Sequence, residues 1–312
     1  MAQPTNTFSA FDAVGNREDI SDLIANVSPY DTPVQSLIGT GEATATLTEW
    51  QSDTLDAADG ANAVIEGDDA VGDSISPTTR LRNTLQTSDK VVIITTIQER
   101  VNKAGRESEV NYQVMKKAKS LKTDIETILT SNQARDAGSD TVARKLRGLE
   151  GWYATNTSRG TGGANGTDTA AATDGTQRAL TESLLKTVQQ TAYTNGASIK
   201  AAICGPFNRT QISAFTGGAT KFFNVQDKRL IATLTMYESD FHILKIIPDR
   251  FTRDRTLHLI DPEYLRVLWL EPLTSQNLSI TGLTRRKQLW GTYTLEVGTE
   301  RAHAVVADLT TT

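Results

Sequence analysis

Apolar side chains recur along this chain with two different periods, and the changes of period divide it into elements. From Gly105 to Ser131 they fall at Val110, Val114, Ala118, Leu121, Ile125, Ile128 and Leu129. Those steps of three and four trace one face of a helix. The opposite face carries Lys116, Lys117, Lys119, Lys122, Asp124 and Glu126. At 1.5 Å per residue the stretch would be a rod of roughly 40 Å, two to three times the usual helix length. Val110, Val114, Leu121, Ile125 and Ile128 are its expected packing residues.

Period two takes over on either side. In EATATLTEWQSDTL, Thr44, Thr46 and Thr48 alternate with Ala45, Leu47 and Glu49, which favours a strand. TRLRNTLQTSDKVVIITT reads as a second, longer strand with Leu81, Leu85, Val91 and Ile93 at recurring positions. The Gly/Asp/Ala-rich segment between them makes the pair a long two-stranded finger with an acidic, flexible tip. Two strands alone are unstable in water, so the finger needs a partner surface. Thr96 to Glu99 has the spacing of a capping box opening a short helix, interrupted at Gly105. Residues 155–178 are a flexible loop by composition.

Beyond Leu180 the pattern thickens. An amphipathic helix with Leu184, Leu185 and Val188 precedes the strand IKAAIC, and Pro206 sits at a first helical position. Further strands and turns follow, which indicates an α/β or α+β subdomain. The closing RKQLWGTYTLEVGTERAHAVVADL alternates Leu289, Gly291, Tyr293, Leu295 and Val297 against Trp290, Thr292, Thr294 and Glu296, then passes Gly298 into a short last strand. The first 42 residues differ again. Their hydrophobes (Phe8, Phe11, Ile20, Leu23, Ile24, Val27) are widely spaced, Asp19–Val27 has room for two helical turns, and Pro29 and Pro33 force extended backbone. Such a stretch is an arm that must lie across something else.

Charge sharpens this division. The net charge of −5 over 312 residues conceals three basic and fifteen acidic side chains before Lys90, against 29 and 22 from there on. The acidic first third and the more basic remainder are complementary, so the natural partner is another part of this protein or a neighbouring copy. Nothing in the balance has the concentrated cationic face of a DNA-binding protein. No apolar run reaches 18 residues and the start lacks a signal-peptide pattern, so the chain is expected to be soluble and to have no membrane partner.

Chemistry adds little. The tip carboxylates Asp53, Asp56, Asp59, Asp68, Asp69 and Asp73 are oxygen ligands, but the Asp-x-Asp-x-Asp-Gly spacing and closing Glu of a calcium loop are missing. GTGGANG at 160–166 lacks the third glycine of a dinucleotide cradle and any following Gly-Lys-Ser/Thr. His242, His258 and His303 are isolated, and Cys204 lies in an apolar run as a buried small residue. No nucleophile elbow or zinc-protease pair occurs. The expectation is no enzyme, no metal and no cofactor.

The order of arm, finger, long helix, α/β region and closing strand resembles the HK97-fold major capsid proteins of tailed bacteriophages, and more closely the SU10-like major capsid family. The resemblance is carried by SPYDTPVQSLIG, KVVIITT, NKAGRESEVNYQVMKKAKSLKTDIETILTSNQ, ARKLRGLEGWYATNTSRG and IKAAICGPFNRTQISAF. Its most specific part is the Gly-Arg-x-x-Glu-x-x-x-Gln-x-x-Lys pattern across Gly105 to Lys117. It implies an α+β fold with an N-terminal arm (1–42), a two-stranded extended loop (43–95), a peripheral domain with the spine helix (96–154), an α/β axial domain (155–280) and a peripheral strand returning to the axial domain (281–312). It also implies self-assembly into pentamers and hexamers of an icosahedral shell around a double-stranded DNA genome, without sequence-specific DNA contacts. Portal, scaffolding or decoration proteins would be further partners, the virion the final location and host cytoplasm the earlier one.

The candidate inter-subunit charges are Asp53, Asp56, Asp59, Asp68 and Asp69 on one copy, with Lys116, Lys117, Arg285 and Arg286 on another. Some family members weld their loops through a lysine–asparagine bond. This loop has no lysine before Lys90, so non-covalent lattice contacts are expected. Two readings remain beside this one: an encapsulin-type bacterial compartment, and a soluble enzyme using a carboxylate pair within 180–280. Val114→Asp is expected to cripple folding, and Lys117→Glu to spare the fold and weaken assembly.

Overall fold

Pro33 sets the first element: its fixed φ suits a first helical turn, and α1 runs Pro33–Leu37. The computed structural model describes residues 31–67, 69, 72, 75–103, 105–215 and 236–312. The expected arm hydrophobes before residue 30, the helical turns at Asp19–Val27, and Asp68 and Asp73 lie outside the described residues. After α1 come β1 (Gly39–Glu42), β2 (Leu47–Ser52), β3 (Thr79–Thr84), β4 (Gln86–Thr95), α2 (Thr96–Arg100) and the long α3 (Glu109–Thr130). Then follow α4 (Leu149–Trp152), β5 (Thr157–Ser158), α5 (Glu182–Thr194), β6 (Ala201–Cys204) and α6 (Pro206–Ser213). The chain closes with β7 (Met236–Glu238), β8 (Ile243–Pro248), β9 (Leu257–Ile260), β10 (Leu265–Asn277), β11 (Thr284–Val297) and β12 (Ala304–Val306).

Three sheets organise these strands. One has the order β1-β10-β11-β4, a second β5-β12-β9-β6-β8-β7, and β2 pairs only with β3. The long helix lies on the first sheet. Its first turns meet Val92 and Ile94 of β4 through Val110, and farther along Leu121, Ile125 and Leu129 join a core with Tyr293, Leu295 and Val297 of β11. A separate core fills the second sheet, where α5 contributes Leu185, Val188 and Ala192. The last two strands divide their work: β11 sits inside the first sheet and β12 inside the second.

Several expectations change in detail. The helix starts at Glu109, four residues late, because Gly105 takes a left-handed φ of 73° and Ser108 caps the Asn111 amide. Of its packing face, Val110, Leu121 and Ile125 are buried, while Val114 and Ile128 are half-buried. Glu126, placed by its spacing on the solvent face, is fully buried. Thr96–Glu99 is no capping box: Thr95 caps α2, and Glu99 serves the next helix. Its carboxylate accepts from Ser108 Oγ (2.7 Å) and from the amides of Glu109 (2.9 Å) and Val110 (3.2 Å). The Ser108 hydroxyl is the main reason Glu99 stays below the usual carboxylate range, against the opposing effect of burial.

The expected long second strand is two strands in different sheets. Buried Asn83 marks the break: its Nδ2 donates to the carbonyls of Arg147 (3.2 Å) and Leu295 (2.7 Å), and its Oδ1 accepts the Arg147 amide at 2.7 Å. Past Leu85 the alternation therefore inverts. Val92 and Ile94 face the core, and the expected inward residues Val91 and Ile93 face outward. The finger proper is β2–β3, joined to the body by the Trp50 indole, which donates to the Val297 carbonyl at 2.8 Å and packs on Trp152.

Candidate assembly surfaces and the buried charge network

The glycine-rich 155–178 segment is not the loose loop its composition indicates. Asp308 gathers it: one carboxylate oxygen accepts the Gly160 amide (2.9 Å), the other the Gly175 amide (2.8 Å) and Arg255 (2.7 Å). Glycine is needed here because a Cβ on Gly160 would stand 2.0 Å from the Thr176 carbonyl oxygen. Asp308 itself has φ 61°, a left-handed conformation that an aspartate tolerates better than most residues. Burial raises its carboxyl, but the two amides and Arg255 outweigh it and leave the group below the ordinary value.

The network continues through Asp174 to Arg253, and from Arg253 to buried Glu150 at 2.9 Å. Burial raises Glu150 despite Arg253 and Arg159 beside it. Tyr153 Oη lies 3.0 Å from His258 Nδ1 in the same region. His258 and His303 are both driven down to about 3 by burial, so they are neutral near pH 7. The Cys204 thiol is pushed up to about 12 by burial and is inert. No group of three or more His, Cys, Asp or Glu side chains among the described residues could hold a metal ion. No described helix is long and apolar enough to cross a membrane.

Of the expected charge contacts among the described residues, Asp53, Asp56, Asp59, Asp69, Lys116 and Arg285 are exposed, and Lys117 and Arg286 are half-buried. Asp53, Asp56, Asp59 and Asp69 are exposed on the segment joining β2 to β3. Among the described residues, no ion pair involves Asp53, Asp56 or Asp59. Lys116 is exposed, and Lys117 lines a groove of about 530 Å³ with Glu109, Gln113 and the 91–95 stretch of β4. Arg285 and Arg286 pair in register with Ile94 and Ile93 of that same strand. Lys117, Arg285 and Arg286 thus lie along the 91–95 end of β4.

Charge patterning missed the apolar part of this surface. Leu55, Val64, Ile65 and Ile75 on the finger are between 78% and 99% exposed. Ile93, Ile97, Val101, Ile280 and Leu283 are more than half exposed. Ile93, Ile97 and Leu283 lie on adjoining backbone, because Thr95 pairs with Thr284 and the Thr96 amide donates to the Leu283 carbonyl. Single exposed hydrophobes are ordinary; clusters of this kind mark contact surfaces.

A two-stranded finger with an exposed tip, a long helix across one sheet and a second α/β sheet together define an HK97-like capsid subunit. Solved structures share the fold. The capsid of cyanophage A-1(L) aligns with a TM-score of 0.67 at 11% identity, over 95% of this chain and 98% of that one. A native GTA particle capsid gives 0.65 at 10%, over 96% and 98%. An encapsulin from Synechococcus elongatus gives 0.56 at 13%, over 96% and 94%. The model of the SU10 major capsid protein family matches residues 3–310, and the chain belongs to that family. A curated relative, the major capsid protein of Escherichia phage Phieco32, is 38% identical over 135 residues, which span 43% of this chain and 38% of the relative.

Proposed function

We propose that this chain self-assembles into the pentamers and hexamers of an icosahedral phage shell enclosing double-stranded DNA, with no catalytic role of its own. The observation that carries this reading is the pair of exposed apolar clusters, on the finger and at the sheet end, which a solitary subunit would leave in water. Burying one such Leu or Ile contributes about 1.5–3 kcal/mol, so a handful in each contact is enough to drive assembly. In this reading residues 1–42 are the arm, 43–95 the extended loop, 96–154 the peripheral domain, 155–280 the axial domain and 281–312 the returning strand. The finger crosses to an adjacent copy, and its aspartates approach a basic sheet end formed by Lys116, Lys117, Arg285 and Arg286.

Contacts are non-covalent, since the finger offers no lysine before Lys90. DNA is enclosed without sequence readout, the portal and scaffolding or decoration proteins are further partners, and the subunit passes from host cytoplasm to virion. An encapsulin-type shell is the second reading, favoured only by the shared fold. Electron microscopy of purified protein tests assembly: shells or capsomers support it, and a strict monomer at high concentration rejects it. Nucleic acid inside native particles, as opposed to a cargo enzyme, then separates the two shells.

A further inference from the structure

Glu126 is the one carboxylate of α3 turned fully into the core, and it is occupied by another part of the chain. Its Oε1 accepts the Val34 amide at 2.5 Å, and its Oε2 accepts the Gln35 amide at 3.1 Å and Gln35 Nε2 at 3.0 Å. Gln35 Nε2 also donates to the Lys122 carbonyl at 2.8 Å, one turn earlier on the same helix. Val34 and Ile38 insert into the core beside Leu121, Ile125 and Leu129. The segment therefore docks through two apolar side chains and one carboxylate that grips its backbone.

The geometry points to Glu126 as a proton-operated catch that fixes where the N-terminal stretch joins the body, tighter in acid and looser above neutrality. Three elements surround the carboxylate. Among the described residues, its hydrogen bonds come from neutral donors of α1, and Gln35 also ties α1 to the Lys122 carbonyl of α3. From the turn after β8 comes Asp249, a like charge, buried, with one oxygen accepting the Phe251 amide at 2.9 Å. No salt bridge to Glu126 forms among the described residues.

Burial without a cation favours the protonated form of a carboxyl group, whereas amide donors favour the ionised one. Burial is the main cause that raises Glu126 from 4.5 to about 7; the Val34 and Gln35 donors oppose it, and Asp249 adds to the rise. Once the segment lifts away, the carboxyl returns to water and to its ordinary value. Docking therefore binds a proton between those two pH values. Its strength is full below pH 4.5, falls as pH rises through about 7, and is constant above. The catch follows from one subunit's own contacts and does not rest on the shell reading.

Hydrogen exchange by mass spectrometry on the full-length protein tests this, with labelling times scaled so that intrinsic exchange is equal at every pH. Between pH 5 and 8 the protection of residues 34–38 is expected to fall roughly 50- to 100-fold, while residues 121–129 stay constant. In Glu126→Gln, where nothing titrates, the profile over 34–38 is expected to be flat. A flat wild-type profile overturns the proposal, as does an equal loss across α3 or an unchanged slope in the variant. Because the wild-type profile decides by itself, the test survives if Glu126→Gln fails to fold. Gln35→Ala adds a further check: it is expected to lower protection at every pH and keep the slope, and a lost slope there would overturn the proposal.

Discussion

At the scale of single residues, the chain places its charges by how many donors each can satisfy. Asp308 and Glu126 are both buried acids that accept backbone amides, yet they shift in opposite directions. Arg255 stands 2.7 Å from Asp308 and keeps it ionised, whereas Glu126 has the like-charged Asp249 as its neighbour. The stability that Asp308 adds is thus complete above its ordinary 3.8 and is lost as pH falls through the lower folded value. Asp308→Asn isolates the carboxylate, because asparagine also tolerates the left-handed backbone required at φ 61°. Its amide group would meet one of the two glycine amides as a second donor and remove one of the two carboxylates that pair with Arg255, leaving Asp174. A loss of roughly 2–4 kcal/mol is expected in urea unfolding, with faster exchange across 159–176. An unchanged midpoint would show that the loop is held by its glycine packing alone.

At the scale of elements, periodicity was legible wherever a side chain's job is to fill space. The helix over α3, the β12 strand and the helix at α5 all follow from spacing, and Leu121, Ile125 and Leu129 pack as that spacing requires. What spacing cannot show is a polar residue recruited by a distant segment. Glu126 reads as one more charge on a lysine-rich face until α1, 91 residues away at Gln35, supplies its donors. Likewise the break at Asn83 is invisible locally, since its partners Arg147 and Leu295 lie far along the chain. The composition of 155–178 misled for the same reason: Asp308, 148 residues beyond Gly160, turns small residues into a tight fit. Burial also varies along the helix face. Ile125 is wholly buried and Val114 only half-buried. Ile125→Ala is therefore expected to cost about 2–5 kcal/mol and Val114→Ala clearly less, measured as shifts in denaturation midpoint. Equal losses would mean that the first turns are as firmly packed as the last.

At the scale of the whole molecule, the exposed apolar side chains sit at two kinds of site, one the tip of the finger and one the rim of a sheet. Their separation suits neighbours that each give a finger and receive one, a head-to-tail contact that closes into rings. In the assembly proposed above the aspartates of the finger would add direction to that contact: exposed pairs of this kind are worth only ~0–1 kcal/mol each, but an array of them would favour the basic rim over other surfaces. This separates two kinds of variant. Replacing Leu55, Val64, Ile65 and Ile75 together by serine touches no described core cluster, so the unfolding midpoint is expected to stay within about 0.5 kcal/mol of the parent. Assembly, followed by sedimentation and electron microscopy, is expected to be lost at every salt concentration, because the apolar drive is gone. Converting Asp53, Asp56 and Asp59 to asparagine is expected instead to slow assembly most at low salt and hardly at all when added salt already screens charges beyond ~8–10 Å. If the serine variant still forms shells, the finger is not a principal contact. If the asparagine variant behaves alike at low and high salt, complementarity between the acidic finger and the basic rim plays no part in choosing the neighbour.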